Sequence, residues 1–522
     1  MADSKREIER KYEAAPGTRL PDLTRAAGVL EVAHRGVHEL DAVYYDTEDL
    51  RLAAASLTLR RRTGGDDEGW HLKFPVASGI RDEIRAPLAD TLPAELAALL
   101  RSRVRHTALA PVVRLRSARD VHHLLAADGS LLAELSVDRV RAERLTEDGG
   151  GATAQWTELE VELADDGDPA FLDVVERRLR EAGVRPSASA SKLARALAET
   201  APATTRRGNG DGRGSGGGDG RGSGGRARVT AGDHVLTYVR EQIEAIIALD
   251  PAVRRDLPDS LHRMRVATRR LRSAFTTYRK VLDRAVTDPV REELKWLATE
   301  LGVERDREVL AERLRTALAE LPRTLCLGPV RGRLRIWSAA RRAGSRRRTV
   351  ALLDGRRYLA LLDSLDALRA DPPLLPGAAR KPRKALARAV LKDHDRLADR
   401  IRHALAHPPG HERDLALHEA RKAAKRARYA GEAAGPALGG PAERFVRRTK
   451  AVQTLLGDHQ DSVVAREALR DLAVQAHAAG ESAFTWGLLY GREEARAAAG
   501  ERELPEVWRR ASGPELRADL KG

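Results

Sequence analysis

The chain has 522 residues, of which 42% are hydrophobic and 32% charged, and its formal net charge is +15. This composition is typical of a folded protein large enough for two or three domains. The single cysteine, Cys326, excludes an internal disulfide framework, and the absence of an apolar run of about 18 residues excludes a transmembrane helix.

The charge is unevenly distributed along the chain. Residues 1–200 carry a net charge of −6, residues 201–228 of +4 and residues 229–522 of +17. A strongly basic half implies an anionic partner such as nucleic acid, a membrane surface or polyphosphate. Residues 208–225 consist mostly of Gly and have almost no side chain that can pack, which predicts a flexible linker. We therefore predict domains at 1–200 and 229–515, joined by a linker at 201–228.

Period-2 alternation dominates the first of these regions and predicts strands. Seven segments show it, in chain order EIERKY, LTLRRR, WHLKFPV, RDEIRAPL, VVRLRS, LLAELSVDRV and WTELEVEL. Helical stretches are predicted near 92–102 and 169–182. The second region, about 229–515, has a 3.6-residue period and is predicted to be nearly all helix.

One face of each predicted strand carries charge. These faces hold Glu7, Glu9 and Lys11; Arg60 and Arg62; His71 and Lys73; Arg81, Glu83 and Arg85; Arg114 and Arg116; Glu134 and Asp138; and Glu158, Glu160 and Glu162. For a single strand, a face in water is the simpler interpretation. Seven strands whose charged faces together carry both positive and negative side chains favour a barrel that closes around a polar interior. Cations there would bind a multiply charged anion, and carboxylates would bind a hard divalent metal.

The N-terminal motif Glu7-Ile8-Glu9-Arg10-Lys11 resembles the ExExK signature that opens CYTH domains, the triphosphate tunnel metalloenzymes. Arg60-x-Arg62, Lys73, Glu160-x-Glu162 and Ser191-Lys192 follow in the order of that family, so the resemblance covers about residues 5–198. It implies an eight-stranded antiparallel tunnel that binds a triphosphate and hydrolyses or cyclises it.

The resemblance also implies roles for individual residues of the tunnel. It gives catalytic roles to Lys11, Glu160 and Glu162. It gives phosphate contacts to Lys11, Arg60, Arg62, Lys73, Arg85, Arg114, Arg116, Arg119 and Lys192. It gives metal binding, with Mg²⁺ or Mn²⁺ as the expected ion, to Glu7, Glu9, Glu83, Asp138, Glu158, Glu160 and Glu162. Strand parity favours Arg114 and Arg116, whereas the family pattern could also use Arg119, and Glu158 is ambiguous with its neighbours.

The helical half contains an internal duplication. The segment His262-Arg-Met-Arg265-Val-Ala-Thr-Arg269-Arg270-Leu-Arg272 recurs 156 residues later as His418-Glu-Ala-Arg421-Lys422-Ala-Ala-Lys425-Arg426-Ala-Arg428. A second match, from Lys295 and Leu301-Gly302 to Asp306, recurs 155 residues later from Lys450 and Leu456-Gly457 to Asp461. Helix offsets of 0, 3, 7 and 10 residues fall within roughly 80°. Each copy therefore forms a ridge of His and cations, and the repeat predicts duplicated helical bundles around a shared anion groove.

This half resembles the CHAD domain over about residues 229–515. The hallmark of that family is His and basic residues on duplicated helical hairpins, and the family associates with polyphosphate. The resemblance implies polyphosphate contacts for His262, Arg265, Arg269, Arg270, Arg272, His418, Arg421, Lys422, Lys425, Arg426 and Arg428. The expected fold is α+β, with a CYTH-like antiparallel tunnel followed by an all-α, CHAD-like duplicated helical bundle.

These features lead us to expect metal-dependent hydrolysis of inorganic triphosphate in the tunnel, with polyphosphate bound by the helical half. The chain begins with charged residues rather than a secretory signal, so we expect a cytoplasmic protein, associated with polyphosphate granules and without a membrane partner. Two alternatives stay open: a non-catalytic polyphosphate-binding granule protein, and a nucleoside triphosphate hydrolase or adenylyl cyclase in the same barrel. Nucleic acid is a less favoured partner, because only Phe275, Tyr278 and Tyr429 lie near the ridges for base stacking.

Overall fold

The computed structural model describes residues 3–15, 17–18, 20–146, 151–201, 229–342 and 345–521. The chain folds as two compact units, residues 1–221 and 222–522. Apart from Ala201, the predicted linker lies outside the described residues, so its flexibility and the exact domain limits stay predictions. Among the described residues, no helix combines the length and the apolar character that a membrane crossing requires.

Eight antiparallel strands of the first unit close into a barrel, which confirms the predicted tunnel. They run in the order β5-β4-β3-β2-β6-β7-β8-β1, and β1 pairs with β5 to close the sheet. A ninth strand of two residues pairs with the C-terminal end of β1. The strands are β1 (Asp3–Ala14), β2 (Glu31–Asp46), β3 (Thr58–Thr63), β4 (Gly69–Ala77), β5 (Ile80–Ala86), β6 (Ala110–Leu125), β7 (Leu131–Arg144), β8 (Thr153–Leu163) and β9 (Arg185–Pro186).

Strand β2 is the barrel strand that the alternation did not predict. Its pairing with β6 shifts register between His34 and Gly36, which is a β-bulge. Before the bulge, His34 lies opposite His122; after it, His38 lies opposite Arg119 and lines the barrel interior. Because the bulge exchanges the two faces within the strand, no single period-2 pattern runs through its sequence.

Most of the apolar core of this unit lies outside the barrel wall. Four helices accompany the strands: α1 (Arg51–Ala54), α2 (Ala94–Val104), α3 (Ala170–Glu181) and α4 (Lys192–Glu199). Leu159 and Val161 of β8 pack against Leu172 of α3 in this outer core. Since neighbouring residues of a strand point to opposite faces, Glu160 between them points inward. Helix α4 packs Leu193 against the apolar end of the barrel.

The described part of the second unit is helical, which confirms the predicted all-α half. Its helices are α5 (Ala231–Arg254), α6 (Ser260–Thr277), α7 (Arg284–Glu300), α8 (Gly302–Ala319), α9 (Val330–Arg342), α10 (Ser345–Asp354), α11 (Arg356–Ala370), α12 (Pro382–Ala406), α13 (His411–Leu438), α14 (Gly440–Ala478), α15 (Phe484–Ser512) and α16 (Pro514–Lys521). Two apolar clusters form its core, one that includes Ile243 and Leu271 and one that includes Trp337 and Trp486.

The two sequence repeats occupy different helical contexts. Helices α6 and α13 carry the two basic repeats. In the first copy, Leu301-Gly302 stands where α7 ends and α8 begins, whereas Leu456-Gly457 lies inside the uninterrupted helix α14. The duplicated residues are therefore presented by a broken pair of helices in one copy and by one continuous helix in the other.

Candidate functional site

The interior of the barrel encloses an open cavity of about 530 Å³. Ten Lys or Arg residues and seven Asp or Glu residues line it. The cations are Lys5, Lys11, Arg35, Arg60, Arg62, Lys73, Arg81, Arg85, Arg119 and Lys192, and the acids are Glu7, Glu9, Asp66, Asp67, Glu134, Glu160 and Glu162. This excess of cations around a concave, partly buried space favours a ligand with several negative charges.

Glu83 of β5 is the centre of an ion network on one wall of the barrel. The carboxylate is fully buried and lies 2.9 Å from His71 Nδ1, 3.4 Å from Lys73 Nζ and 3.7 Å from Arg60 Nη2, and it also accepts from Arg85. Burial opposes ionisation, but Lys73, the His71 hydrogen bond and Arg60 together hold the pKa of Glu83 well below its usual range. Glu83 therefore stays ionised and orients the cations around it.

Glu7 and Glu9, the two acids of the N-terminal motif, differ in their ionisation. Lys73 Nζ donates to Glu7 at 2.6 Å, yet burial, with the help of neighbouring Glu83, raises the pKa of Glu7 to about 7. Glu9 lies 3.1 Å from Lys11 Nζ. Burial opposes its ionisation too, but the charges of Lys11, Lys73 and Arg81 together outweigh it and lower the pKa of Glu9. Glu7 is thus divided between its two protonation states near neutral pH, while Glu9 is a carboxylate.

Three buried carboxylates converge on the opposite wall. Oxygens of Asp138, Glu158 and Glu160 lie within 4.8 Å of one another. Lys192 Nζ lies 3.0, 2.7 and 2.6 Å from them, respectively, and Arg119 donates to Asp138 at 2.7 Å and to Glu160 at 2.8 Å. Convergent carboxylate oxygens are the ligands that hard divalent cations prefer, so this donor set fits a divalent metal once the Lys192 ammonium group moves aside.

Strand register and a helix cap place these side chains. Residues directly opposite each other in an antiparallel pair share a face. Glu160 lies opposite Lys11 of β1, and Glu158 lies opposite Asp138 of β7. Ser191 begins helix α4 by accepting a hydrogen bond from the backbone N–H of Ala194 at 3.0 Å. This cap fixes the start of the helix and directs the next residue, Lys192, into the barrel.

Most of the sequence-predicted tunnel residues meet in this interior. Those that line the cavity are Glu7, Glu9, Lys11, Arg60, Arg62, Lys73, Arg85, Arg119, Glu160, Glu162 and Lys192. Those buried beside it, with partners among them, are Glu83, Asp138 and Glu158.

Arg114 and Arg116 lie elsewhere, which corrects the preference drawn from strand parity. Arg116 lies opposite Asp41 of β2, and Arg114 donates to the Asp41 carboxylate at 2.9 and 3.1 Å. Neither lines the cavity, whereas Arg119, on the other face of β6, does. The register of β6 against its neighbours therefore sets the opposite face inward.

The cavity also has cations that the sequence interpretation left out of the site. Lys5 continues the inward alternation of β1, so extending that pattern by one pair of residues would have found it. Arg81 was predicted to share the charged face of Glu83 and Arg85 but was given no role in the site. Arg35 and His38 lie beside the β2 bulge. No simple periodicity could have assigned those two residues to the interior.

The two basic ridges of the helical unit meet around Lys425. Burial, followed by the nearby charges of Arg421 and Arg269, lowers the pKa of Lys425 to about 7. Within the described chain, Lys425 makes no ion pair within 4 Å. The local charge is therefore strongly positive and poorly compensated, a setting that an anion would relieve.

The duplicated Leu-Gly-x-x-x-Asp segments hold one arginine of each ridge. Arg265 Nη2 lies 3.1 Å from Asp306, and a Cβ at Gly302 would lie 3.2 Å from the same nitrogen. The second copy repeats this arrangement, since Arg421 lies 3.8 Å from the corresponding Asp and a Cβ at Gly457 would lie 3.4 Å from its Nη2. The glycines thus leave room for guanidinium groups that the aspartates orient.

Other predicted ridge residues have different surroundings. Buried Nε groups without a hydrogen-bond acceptor among the described residues belong to Arg265, Arg269, Arg272 and Arg421. His418 Nδ1 lies 2.6 Å from Gln460, His262 is exposed, and exposed Lys422 pairs with Glu419 at 2.6 Å. Carboxylate partners engage Arg270, Arg426 and Arg428 at 2.9, 3.1 and 2.7 Å. The structure therefore brings together the inner part of each ridge, whereas Arg270, Lys422, Arg426 and Arg428 pair with acids of the chain itself.

Comparison with known sequences covers both units. Residues 5–197 match the CYTH domain family and residues 237–470 match the CHAD domain family. An "uncharacterized protein" of Mycobacterium tuberculosis strain H37Rv is 39% identical over 511 residues, which cover 93% of this chain and 92% of that protein. The chain belongs to the CYTH–CHAD family. Its barrel is thus a member of the triphosphate tunnel enzymes, which bind triphosphate substrates and depend on a divalent metal.

Similar solved structures cover about half of this CYTH–CHAD chain. PptA from Streptomyces chartreusis is 23% identical, with a TM-score of 0.45, and matches 53% of this chain and 99% of its own. The CHAD domain from the plant Ricinus communis is 24% identical, with a TM-score of 0.42, and matches 58% of this chain and 97% of its own. Because both scores are below 0.5, family membership rests on the sequence matches.

Proposed function

We propose that the CYTH barrel hydrolyses inorganic triphosphate with Mg²⁺ or Mn²⁺, and that the CHAD unit binds polyphosphate on its two ridges. The observation that carries the proposal is the inverted character of the barrel, with most of its apolar core outside and buried charges of both signs inside. Burying charged groups costs several kcal/mol per ion before pairing offsets it. A chain of phosphates with a divalent metal uses both signs at once.

The cations of β3, β4 and β5 supply the phosphate contacts in this proposal. Arg62 is buried, and burial together with the nearby charges of Arg60 and Arg119 lowers its pKa to about 9. A bound anion would relieve that repulsion. Arg guanidinium groups can hold two phosphate oxygens at once, while Lys73 offers a compact charge. Phosphoryl transfer depends mainly on this positioning and charge neutralisation.

The carboxylates supply the metal contacts. Asp138, Glu158 and Glu160 would hold the metal on one wall, with Glu9 nearby through their shared partner Lys11. When bound, a divalent metal supplies charge neutralisation for the phosphates and acidifies water. Without ligands, Lys11 and Lys192 form ion pairs with these carboxylates. Substrate binding would turn both lysines toward phosphate oxygens and free the carboxylates for the metal. Metal binding would likewise free the lysines for the phosphates.

The lining favours an inorganic substrate over a nucleotide. Tyr44 is the sole Phe, Tyr or Trp residue among the described side chains that line the cavity. It is 4% exposed, and its hydroxyl lies 3.5 Å from Arg60 Nη1. A base would need an accessible ring face for stacking. The charged walls are complementary to a ligand that consists only of phosphate groups.

The ridges supply the polyphosphate contacts of the CHAD unit. Lys425 and Arg269 come from different ridges, burial lowers the pKa of both, and the charge of Arg269 lowers the pKa of Lys425 further. Unsatisfied guanidinium N–H groups beside them add donors that an anion can use. A flexible phosphate chain can bind along such a stripe of cations, and this binding requires no stacking of nucleic-acid bases.

Phosphate release by the purified full chain tests the barrel. We expect Mg²⁺- or Mn²⁺-dependent release from inorganic triphosphate, little from ATP or long-chain polyphosphate, and none in EDTA. Glu160→Gln should lower turnover at least about a hundredfold, because it removes a convergent carboxylate. Asp41→Asn changes a carboxylate outside the cavity and is the matched control. Turnover retained by the first variant, or lost equally by both, would contradict the barrel assignment.

Retention of long-chain polyphosphate tests the ridges separately. Arg269→Gln should weaken binding while triphosphate turnover stays at the wild-type level. Arg357→Gln is the control, because Arg357 is exposed and pairs with Glu293 at 2.7 Å away from the ridges. Equal binding by both variants would refute the ridge contacts and leave the barrel assignment intact.

A further inference from the structure

A second basic surface of the CHAD unit lies apart from the ridges. An open cavity of about 900 Å³ is bounded by the turn after α6, the first half of α12 and the end of α16, and we term it the outer groove. Its ten lining cations are Arg279, Lys280, Arg380, Lys381, Arg383, Lys384, Arg388, Lys392, Arg517 and Lys521. Among the residues that the structure describes, Asp395 is the single acid that lines it, and none of the predicted ridge residues does.

The positive charge of the outer groove is uncompensated. Asp395 is already engaged by Arg517. The other nine cations are exposed, and none of them forms an ion pair within 4 Å with a residue that the structure describes. Some exposed arginines elsewhere in this unit, such as Arg402 and Arg509, have carboxylate partners at 3.2 and 2.7 Å. The outer groove instead concentrates nine exposed cations without such a partner around one concavity.

Helix α12 concentrates this charge on one side. Lys384, Arg388 and Lys392 follow one another at offsets of 0, 4 and 8 residues, which fall within roughly 80° of arc, and Lys381 immediately precedes the helix. Like charges three or four residues apart destabilise a helix by a few tenths of a kcal/mol per pair. The N-terminus of the helix adds its own partial positive charge at the same place. An anion in the outer groove would offset both effects.

We propose that the outer groove binds a continuation of the polyphosphate chain that the ridges hold. This proposal rests on the proposed function of the ridges. Helix α6 carries the first ridge as far as Arg272 and ends at Thr277, which lines the outer groove. Five residues of helix rise about 8 Å and turn through about 140°, so a polyphosphate chain that leaves the ridge passes around the end of α6 to reach the outer groove. The short rise keeps the two sites close enough to act on one flexible ligand.

The shape and lining of the outer groove favour a bare phosphate chain over other polyanions. Its cations stand around a concavity, which a flat lipid bilayer cannot enter. Its one aromatic residue, Tyr278, is 2% exposed and donates its hydroxyl hydrogen to the Ala430 carbonyl. Nucleic-acid bases would therefore find no ring on which to stack. Polyphosphate has no bases, so the lack of an accessible aromatic ring does not weaken its binding.

Chain length and salt dependence test the proposal on the full-length protein. The groove variant Lys384→Gln, Arg388→Gln, Lys392→Gln removes three unpaired cations. We expect its affinity for long-chain polyphosphate to fall roughly tenfold. The slope of log affinity against log salt should become shallower by roughly 2, as for three lost phosphate contacts. Phosphate release from inorganic triphosphate by the barrel should stay unchanged, and an unchanged thermal transition of the CHAD unit verifies that the substituted unit is folded.

Matched variants separate the outcomes. The control Arg402→Gln, Arg509→Gln, Arg510→Gln removes the same net charge from exposed residues outside the outer groove, and it should bind like wild type. An equal loss in the control, or wild-type affinity and slope in the groove variant while Arg269→Gln still loses binding, would overturn the outer groove alone. A larger loss for duplex DNA than for polyphosphate would overturn the assigned ligand. No polyphosphate binding by the wild-type chain would overturn the ridges as well.

Discussion

Lys425 links polyphosphate binding to proton uptake, and replacing it by Met tests that link. Burial and the charges of Arg421 and Arg269 lower the pKa of Lys425 to about 7 from its ordinary value of 10.5. A polyanion bound beside the ammonium group favours its charged form and raises the pKa again. The free chain at pH 8 must therefore take up a proton on Lys425 when polyphosphate binds.

The size of this uptake follows from the pKa. With a pKa of about 7, roughly one-tenth of the Lys425 side chains are protonated at pH 8, and nearly all are protonated in the complex. Binding should thus take up about 0.9 proton per site at pH 8 and almost none at pH 6. The affinity should fall by up to about tenfold for each pH unit above 7.

Calorimetric titration with long-chain polyphosphate, in buffers of different ionisation enthalpy, measures the proton uptake directly. Lys425→Met should bind more weakly at pH 7 and should lose the uptake at pH 8. Lys422→Met is the matched control, since this exposed lysine on the same helix already pairs with Glu419. It should keep the uptake. Wild-type chain that takes up no proton at pH 8, or a Lys425→Met variant that takes up as much as wild type, would refute the reasoning.

The same pKa has a consequence for stability without ligand. The folded pKa of Lys425 lies below the unfolded value, so the unfolded chain binds more protons between pH 7 and pH 10.5. The contribution of this group to the free energy of unfolding therefore rises with pH across that window. Lys425→Met should lack this rise in the thermal transition of the CHAD unit, and a persistent, equal rise in the variant would assign the effect to other groups.

Other perturbations act on the barrel interior and on the glycines beneath the ridges. Glu83→Gln should lower the free energy of unfolding of the barrel by about 3–5 kcal/mol, because buried cations lose their partner; an unchanged barrel transition on heating would contradict this. Mg²⁺ and triphosphate together should raise the barrel Tm by more than the sum of their separate shifts, since the groups that they need are now paired with one another; additive shifts would speak against that exchange. Gly457→Leu should weaken polyphosphate binding about tenfold by displacing Arg421. Gly435→Ala, whose Cβ would meet no atom within 4 Å, should not, and equal effects in filter-binding assays would exclude a specific role for Gly457.

The sequence alone predicted both folds because their patterns are local. Alternation in β1 and β8 placed Glu7, Glu9 and Lys11 on one face and Glu158, Glu160 and Glu162 on another, and these faces meet inside the barrel. The repeated basic segments likewise marked the two ridges. A period within one strand or one helix depends only on the geometry of that element, so the sequence contains it.

Register and charge compensation depended on the tertiary structure. The bulge in β2 hid Arg35 and His38, and the register of β6 turned Arg119 inward and Arg116 outward. Which cations have acidic partners also required the fold, because a sequence shows charges but not the distances between them. Lys425 and the cations of the outer groove stand out only when the surrounding helices are in place. Pairing across elements is set by packing between distant parts of the chain, which no local period records.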